Sequence, residues 1–156
     1  MHILIINGPN MNLLGLREPD IYGRMTYPEL VTMIRHEAES LGVMTEFLQS
    51  NHEGVLVEAI QAARGRFDAI IINPAAYTHT SVALLDALKA VDLPAVEVHL
   101  SDPDTREPFR KISYLRAACR MAIKGKGAAG YLEALQWLVA NVSANVSSLP
   151  VAKTGD

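Results

Sequence analysis

The run Ala-Ile-Ile-Ile-Asn-Pro-Ala-Ala-Tyr-Thr-His-Thr-Ser, residues 69–81, constrains the fold more than any other stretch. Its first half is apolar, β-branched and without alternation, the pattern of a strand covered on both faces. Asn73-Pro74 stops that run abruptly, and Asn, Tyr, Thr, His, Thr and Ser then crowd into nine residues before a helical pattern opens at Val82. A buried strand that ends in a polar loop at a helix start is where α/β sheets put ligands. A plain loop with a Ser/Thr helix cap would give the same letters. The choice between the two rests on whether other strand ends in the chain look alike.

Strands and helices alternate along the rest of the sequence. His2 to Asn7 is a compact apolar strand closed by Gly8-Pro9, and residues 8–25 form a long loop carrying Asn10, Asn12, Arg17, Glu18, Tyr22 and Arg24. Connections in compact α/β domains are short, and a long polar one reads as a lid. Thr26 with Glu29 makes a capping box for a helix whose inner face is Leu30, Ile34, Ala38 and Leu41, ended by Gly42. Val43 to Leu48 is a weaker, alternating strand suited to an edge. A second helix presents Val55, Leu56, Ala59, Ile60 and Ala63, and after the strand 67–73 a third presents Val82, Leu85, Leu88 and Ala90. Pro94 to His99 is a fourth strand, Met121 to Lys124 a short fifth. Gly130 to Val142 is a last helix with Leu132, Leu135, Leu138 and Val139 inward. These 156 residues are expected to form a single catalytic α/β domain over 1–143 with a disordered tail over 144–156.

Composition excludes more than it selects. With 49% hydrophobic and 20% charged residues the chain is ordinary for a globular domain, and a net charge of −3 gives no reason to expect nucleic acid or a membrane surface as partner. No apolar run nears the roughly 20 residues that span a bilayer, and the N-terminus lacks a cationic leader region. The expected location is the cytoplasm. The lone Cys119 cannot form an internal disulfide; among Leu115, Ala117, Ala118 and Met121 it reads as a buried structural thiol.

The alternation predicts a flavodoxin-like doubly wound parallel sheet of five strands in the order 2-1-3-4-5. That order sets the carboxyl ends of strands 1, 3 and 4 side by side. The polar clusters follow those same strands: Asn10 to Tyr22, Asn73 to Ser81, and Glu97 to Ser101. Convergence of the clusters on one crevice favours an active site there. Familiar motifs do not explain it. Gly125-Lys-Gly-Ala-Ala-Gly130 has dinucleotide-loop spacing but follows the last strand, so it is a turn into the final helix. His36-Glu37 and His52-Glu53 lack the second histidine of a zinc site, and a phosphoryl-accepting receiver domain needs carboxylates where Asn7 and Asn73 stand.

What remains is acid/base chemistry without metal or nucleotide. Glu97 lies two residues before His99, on the same face of its strand, and a carboxylate beside an imidazole fixes the tautomer and favours the protonated ring, which suits a general acid. Arg17 and Tyr22 share the lid. A phenol with an ordinary pKa near 10 becomes a useful base only after a shift of about 3 units, roughly 4 kcal/mol, which an adjacent guanidinium in a dry site could supply. A packing tyrosine and a solvated arginine would leave the same letters.

Five segments, Ile-Asn-Gly-Pro-Asn-Met-Asn-Leu-Leu-Gly (6–15), Arg-Glu-Pro-Asp-Ile-Tyr-Gly (17–23), Asn-Pro-Ala-Ala-Tyr-Thr-His-Thr-Ser (73–81), Glu-Val-His-Leu-Ser (97–101) and Arg-Glu-Pro-Phe-Arg (106–110), resemble type II 3-dehydroquinate dehydratases, in the same order and over residues 2–142. The resemblance implies reversible anti dehydration of 3-dehydroquinate to 3-dehydroshikimate through an enolate, with no cofactor, in the shikimate pathway of aromatic biosynthesis or in quinate breakdown. On matching positions it implies Tyr22 as the base at C2 with Arg17 lowering its pKa. It makes His99 the acid at the C1 hydroxyl, oriented by Glu97, and has Asn73 stabilising the enolate through a water beside Asn10. Leu100 and Ser101 would hold the substrate carboxylate, His79 and Arg110 the ring hydroxyls, with Arg106 a supporting charge. Asp86 would reach a neighbouring subunit's site, which implies a homo-oligomer of trimers assembled into a dodecamer. Leu85 stands where many relatives have Arg, and Lys111-Ile112 replaces a commoner His-His. A non-catalytic binding homologue would be expected to have lost Arg17, Tyr22 or His99, and all are present.

Overall fold

The computed structural model describes residues 1–16 and 24–146. Five parallel strands, β1 (His2–Asn7), β2 (Met44–Gln49), β3 (Ala69–Asn73), β4 (Ala95–His99) and β5 (Met121–Lys124), form one sheet in the order β2-β1-β3-β4-β5. The helices are α1 (Tyr27–Ser40), α2 (Glu53–Ala63), α3 (Val82–Val91) and α4 (Ala129–Val146). The doubly wound topology and strand order are those read from the alternation.

Ile70, Ile71 and Ile72 of β3 are all fully buried, each burial contributing about 1.5–3 kcal/mol. Successive side chains of a strand point to opposite faces, so this run needs cover on both. Leu30, Ile34, Leu135 and Leu138 of α1 and α4 pack over Ile3, Ile5 and Ile71. Leu56, Ile60, Leu84 and Leu88 of α2 and α3 pack over Leu4, Ile6, Ile70 and Ile72. β2 lies at the edge, as its weaker pattern predicts, and its side chains are at most half-buried.

Local signals fix the helix starts. Thr26 and Glu29 form the expected capping box, with the Glu29 N–H donating to Thr26 Oγ1 (3.4 Å) and the Thr26 N–H to Glu29 Oε2 (2.7 Å). Ser81 caps α3 by accepting from the Leu84 N–H (3.0 Å).

Three helical faces differ from the expectation. The inner face of α3 is Leu84, Ala87, Leu88 and Val91, while Val82 and Ala90 are exposed and Leu85 is half-buried. This helix is apolar on two stripes, and the one that packs in the core with Ile70 and Ile72 is the Leu84–Leu88 stripe. Val55 points to solvent from α2, whose buried residues are Leu56, Ile60 and Ala63. In α4 the inward residues are Tyr131, Ala134, Leu135, Leu138 and Val142, with Leu132 and Val139 only partly buried. A tyrosine can take an inward place because its hydroxyl finds a partner: Tyr131 Oη donates to Asn7 Oδ1 (2.5 Å). α4 continues to Val146. Residues 147–156 of the expected tail lie outside the described residues, as do Arg17 and Tyr22 of the expected lid.

Register delivers the polar residues to one rim. Asn7 of β1 pairs with Asn73 of β3, and Ile72 with Glu97 of β4, so the carboxyl ends of the central strands finish level.

Candidate active site

A cleft opens at that rim, lined from β1's loop by Pro9, Asn10, Met11 and Leu14, and from β3's loop by Asn73, Ala75, Ala76 and His79. The segment after β4 supplies His99, Leu100, Ser101, Pro103, Arg106 and Arg110. Of the expected site residues it gathers Asn10, Asn73, His79, His99, Leu100, Ser101, Arg106 and Arg110. Glu97 is fully buried beneath them. Asp86 is not among the lining residues; it is exposed on the outer stripe of α3. Arg17 and Tyr22 lie outside the described residues.

The floor is held by close backbone approach. The Gly8 N–H donates to the Asn73 carbonyl (2.8 Å), and a Cβ on Gly8 would sit 2.5 Å from the Pro74 oxygen. Nothing larger than glycine fits between the β1 and β3 turns. Asn73 is 3% exposed, and its Oδ1 accepts from the Ala75 N–H (3.2 Å), with Ala75 in the left-handed region at φ 50°. A non-glycine residue held there is strained backbone at a functional rim. Asn10 is left-handed too (φ 66°), and its N–H donates to Asn51 Oδ1 (2.9 Å).

Beneath the cleft, His99 Nε2 donates to Glu97 Oε1 (2.7 Å). That same oxygen accepts from Thr78 Oγ1 (2.5 Å) and Ser113 Oγ (2.8 Å), and Ser113 Oγ also lies 3.0 Å from Oε2. Burial pushes the Glu97 carboxyl up, but the donors from His99, Thr78 and Ser113 outweigh it and hold it below the usual carboxylate range. The group therefore stays ionised in an apolar setting. Because Nε2 is committed to Glu97, Nδ1 is the ring nitrogen of His99 left for a ligand in the cleft.

His79 is oriented by its other nitrogen. Its Nδ1 donates to the Ile112 carbonyl (2.6 Å), leaving Nε2 as an acceptor. Partial burial holds its pKa below the ordinary imidazole value, with the His99 and Arg110 charges acting in the same direction. At the lip, Glu107 Oε2 pairs with Arg110 Nε (2.7 Å) and Arg106 Nε (3.6 Å). Among the described lining residues there is no carboxylate. Guanidinium groups at the lip give a field that draws an anion.

The loop after β4 is braced from behind. The carbonyls of Leu100 and Ser101 accept from the N–H groups of Gly127 (2.9 Å) and Gly125 (3.0 Å). A trans peptide points its N–H away from its C=O, so the Ser101 N–H faces the side opposite the glycine turn. The 125–130 glycines, rejected as a nucleotide loop, serve as this brace. Lys124 at the end of β5 pairs with Asp104 and, at 3.6 Å, with Asp102.

Residues 1–139 match the family Dehydroquinase class II. The chain belongs to the class II dehydroquinase family. It is 51% identical to the 3-dehydroquinate dehydratase of Dinoroseobacter shibae over 150 residues, which cover 96% of this chain and 100% of that protein. It is also 51% identical to the catabolic 3-dehydroquinase of Aspergillus clavatus, over 93% of this chain and 97% of that one. Among solved structures, the type II dehydroquinase from Butyrivibrio crossotus superimposes with a TM-score of 0.87 at 46% identity, covering 88% of this chain and 97% of that one. Membership makes the chain an enzyme, a hydro-lyase acting on a small molecule. No helix among the described residues is long and apolar enough to cross a membrane.

Within this dehydroquinase fold several supporting residues escaped the sequence reading. Thr78 sat in a segment singled out for its polarity, yet its hydroxyl donates to Glu97 and does not line the cleft. Ser113 had no local signal, because its partner is 16 residues away. Gln49 and Asn51 followed an edge strand that looked peripheral; the Gln49 side chain donates to the Gly8 carbonyl (3.2 Å) and to Asn51 Oδ1 (3.2 Å). Cys119 is half-buried and not fully enclosed as expected, yet desolvation pushes its thiol up to about 12, and the Glu97 charge adds to the shift.

Proposed function

We propose that the chain catalyses the reversible anti dehydration of 3-dehydroquinate to 3-dehydroshikimate through an enolate, with no cofactor, as one catalytic domain over residues 1–143. The observation that carries the reading is the buried Glu97–His99 pair under a cleft that has arginines and no carboxylate among its described lining residues. Such a cleft suits a carboxylate substrate, and such a pair suits protonation of a leaving hydroxyl. Tyr22, its phenol pKa lowered by Arg17, removes the C2 proton, and charge passes to the C3 oxygen as an enolate. Asn73, through a bound water and next to Asn10, stabilises that oxygen. His99 then gives the proton on Nδ1 to the C1 hydroxyl, which leaves as water while the C1–C2 double bond forms.

Ser101 and the backbone N–H groups of Leu100 and Ser101 hold the substrate carboxylate. His79 and Arg110 grip the ring hydroxyls, and Arg106 adds positive charge at the lip. Asp86 reaches the site of a neighbouring subunit in a trimer, with four trimers making a dodecamer. The outer stripe of α3 supports this: Val82 and Asp86 are exposed and Leu85 is half-buried beside them. The enzyme works in the cytoplasm, in aromatic biosynthesis.

The product is a conjugated enone and the substrate is not, so ultraviolet absorbance follows turnover directly. Wild type mixed with 3-dehydroquinate is expected to show a rise that Tyr22→Phe and His99→Ala abolish. No rise from folded wild type would overturn the activity; a rise undiminished in Tyr22→Phe would overturn that base. Growth of a dehydroquinase-deficient strain without aromatic amino acids, restored by this chain, tests the biosynthetic role.

A further inference from the structure

We propose that the hydroxyls of Thr78 and Ser113 are positioning groups for the His99–Glu97 pair, and that the strap Ile112–Tyr114 sets the tautomers of both cleft histidines. The proposal rests on the reading of His99 as the acid.

The strap makes three consecutive contacts. The Ile112 carbonyl accepts from His79 Nδ1 (2.6 Å). The Ser113 hydroxyl donates to Glu97, 2.8 Å from Oε1 and 3.0 Å from Oε2. The Tyr114 N–H donates to the Thr78 carbonyl (2.9 Å), which fixes the residue whose own hydroxyl donates to Glu97 (2.5 Å). One short segment thus touches the loop that bears His79 and the carboxylate that bears on His99.

The tautomers follow from counting protons. An ionised carboxylate only accepts. Thr78 Oγ1 and Ser113 Oγ lie 2.8 Å apart and each is within donating distance of Glu97, so at least one hydroxyl proton reaches the ionised carboxylate, which takes its next hydrogen bond from an Nε2–H of His99. With the proton kept on Nε2, the cleft nitrogen Nδ1 carries a proton only in the cationic ring. Giving that proton away returns the ring to the neutral Nε2–H form with no rearrangement at Glu97. His79 is held in the opposite tautomer: its Nδ1–H is committed to a carbonyl, so Nε2 accepts from a substrate hydroxyl. The two histidines face the same cleft with different functions because the strap holds different nitrogens.

Neither hydroxyl lines the cleft, so neither is needed for substrate contact. Ser113 also accepts from the Arg116 N–H (3.2 Å), a capping bond that a purely structural serine would keep. The titratable groups facing Glu97 are His99 on its own strand, His79 after β3 and Cys119 beyond the 115–118 turn. The thiol stays neutral through the working range, so the acid limb of activity reports Glu97 together with the proposed Tyr22 base, and only the Glu97 part depends on Thr78 and Ser113.

The test compares Ser113→Ala and Thr78→Val with the hydroxyl-retaining Ser113→Thr and Thr78→Ser. Loss of one donor to a buried carboxylate is expected to lower kcat on the order of tenfold and move the acid limb of its pH profile up by about one unit. KM should stay within about twofold, and the hydroxyl-retaining variants should recover most of the loss. A structural role alone would displace His79 and Arg110, raise KM and leave the limb in place; that outcome overturns the proposal. Nitrogen-15 NMR of the labelled histidines reads the tautomers without turnover, with Nε2–H at His99 and Nδ1–H at His79, and carbon-13 NMR of the Glu97 carboxyl reads its donors, with its titration moved up by about one unit in the Ala and Val variants. The opposite tautomer at either histidine, or an unmoved Glu97 titration in both variants, overturns the proposal even if wild type does not convert 3-dehydroquinate, a failure that would fall on the activity instead. If Ser113→Ala does not fold, Thr78→Val against Thr78→Ser decides by the same readouts.

Discussion

Replacing Gly8 with alanine tests whether the cleft floor depends on backbone contact between the β1 and β3 turns. The added Cβ would stand 2.5 Å from the Pro74 oxygen and 2.7 Å from its carbonyl carbon. Both are backbone atoms, and they cannot swing aside as a side chain would. Gly8 does not have a positive φ, so alanine adopts its backbone conformation without strain and the cost is purely steric. Separating the turns by enough to admit a methyl would stretch the Gly8 N–H bond to the Asn73 carbonyl (2.8 Å) and move Asn73 and Ala75. Overpacking of this kind costs about 1–3 kcal/mol, and the rigid neighbours put Gly8→Ala at the upper end. For a domain of this size that is a fall in Tm of roughly 5–10 °C. Gly54→Ala is the control: nothing lies within 4 Å of its Cβ, and in α2 the change should be neutral or stabilise by up to about 0.5 kcal/mol. Thermal unfolding at matched protein concentration measures both, and 3-dehydroquinate turnover should fall for Gly8→Ala alone. A Tm for Gly8→Ala within about 2 °C of wild type, with unchanged kcat, would refute the reasoning.

Glu97→Gln keeps the shape of the side chain but turns an amide towards the donors of His99, Thr78 and Ser113, and kcat should fall on the order of a hundredfold in the absorbance assay. The Glu97 pKa is depressed in the folded chain, so its contribution to stability is present above the unfolded value of roughly 4.3 and is lost as pH falls through the folded one. Acid unfolding followed by circular dichroism should accordingly be shallower in Glu97→Gln. Cys119 has the opposite sign: its raised pKa gives stability that is whole below roughly 8.5 and declines as pH rises towards about 12. A thiol reagent at pH 8 should label it only after unfolding in urea. Tyr131→Phe leaves Asn7 Oδ1 without its buried donor and should cost about 1–3 kcal/mol in chemical denaturation.

The fold was legible because its signals are local and repeated. An unbroken apolar run such as Ala-Ile-Ile-Ile needs cover on both faces, and alternating helices supply it in a limited set of topologies. Helix facing was less legible. α3 has apolar residues at Val82 and Leu85 as well as at Leu84, Leu88 and Val91, so periodicity alone admits two inner faces. The phase is the one that packs Leu84 and Leu88 with Leu56, Ile60, Ile70 and Ile72, contacts distant in sequence. α4 misled for another reason: Tyr131 is fully buried because Asn7, distant in sequence, accepts from its hydroxyl. No window on the helix contains that partner.

The site divides in the same way, and the division explains which functional residues a sequence can betray. Groups that face the cleft sit at strand ends, where polarity after an apolar run is conspicuous, and Asn73, His79, His99 and Ser101 were found by that contrast. Groups that act through another residue carry no such mark. Ser113 lies in a proline-punctuated loop and not at a strand end, and it matters only because the chain returns it to β4 beside Glu97. Glu97 itself shows how the two levels meet. A carboxylate in the middle of a buried strand is costly unless it is hydrogen-bonded. Its presence in Ala-Val-Glu-Val-His therefore required buried donors from elsewhere in the chain, although the sequence could not say which. Thr78 and Ser113 meet that requirement, and in doing so they orient the histidine that Glu97 holds.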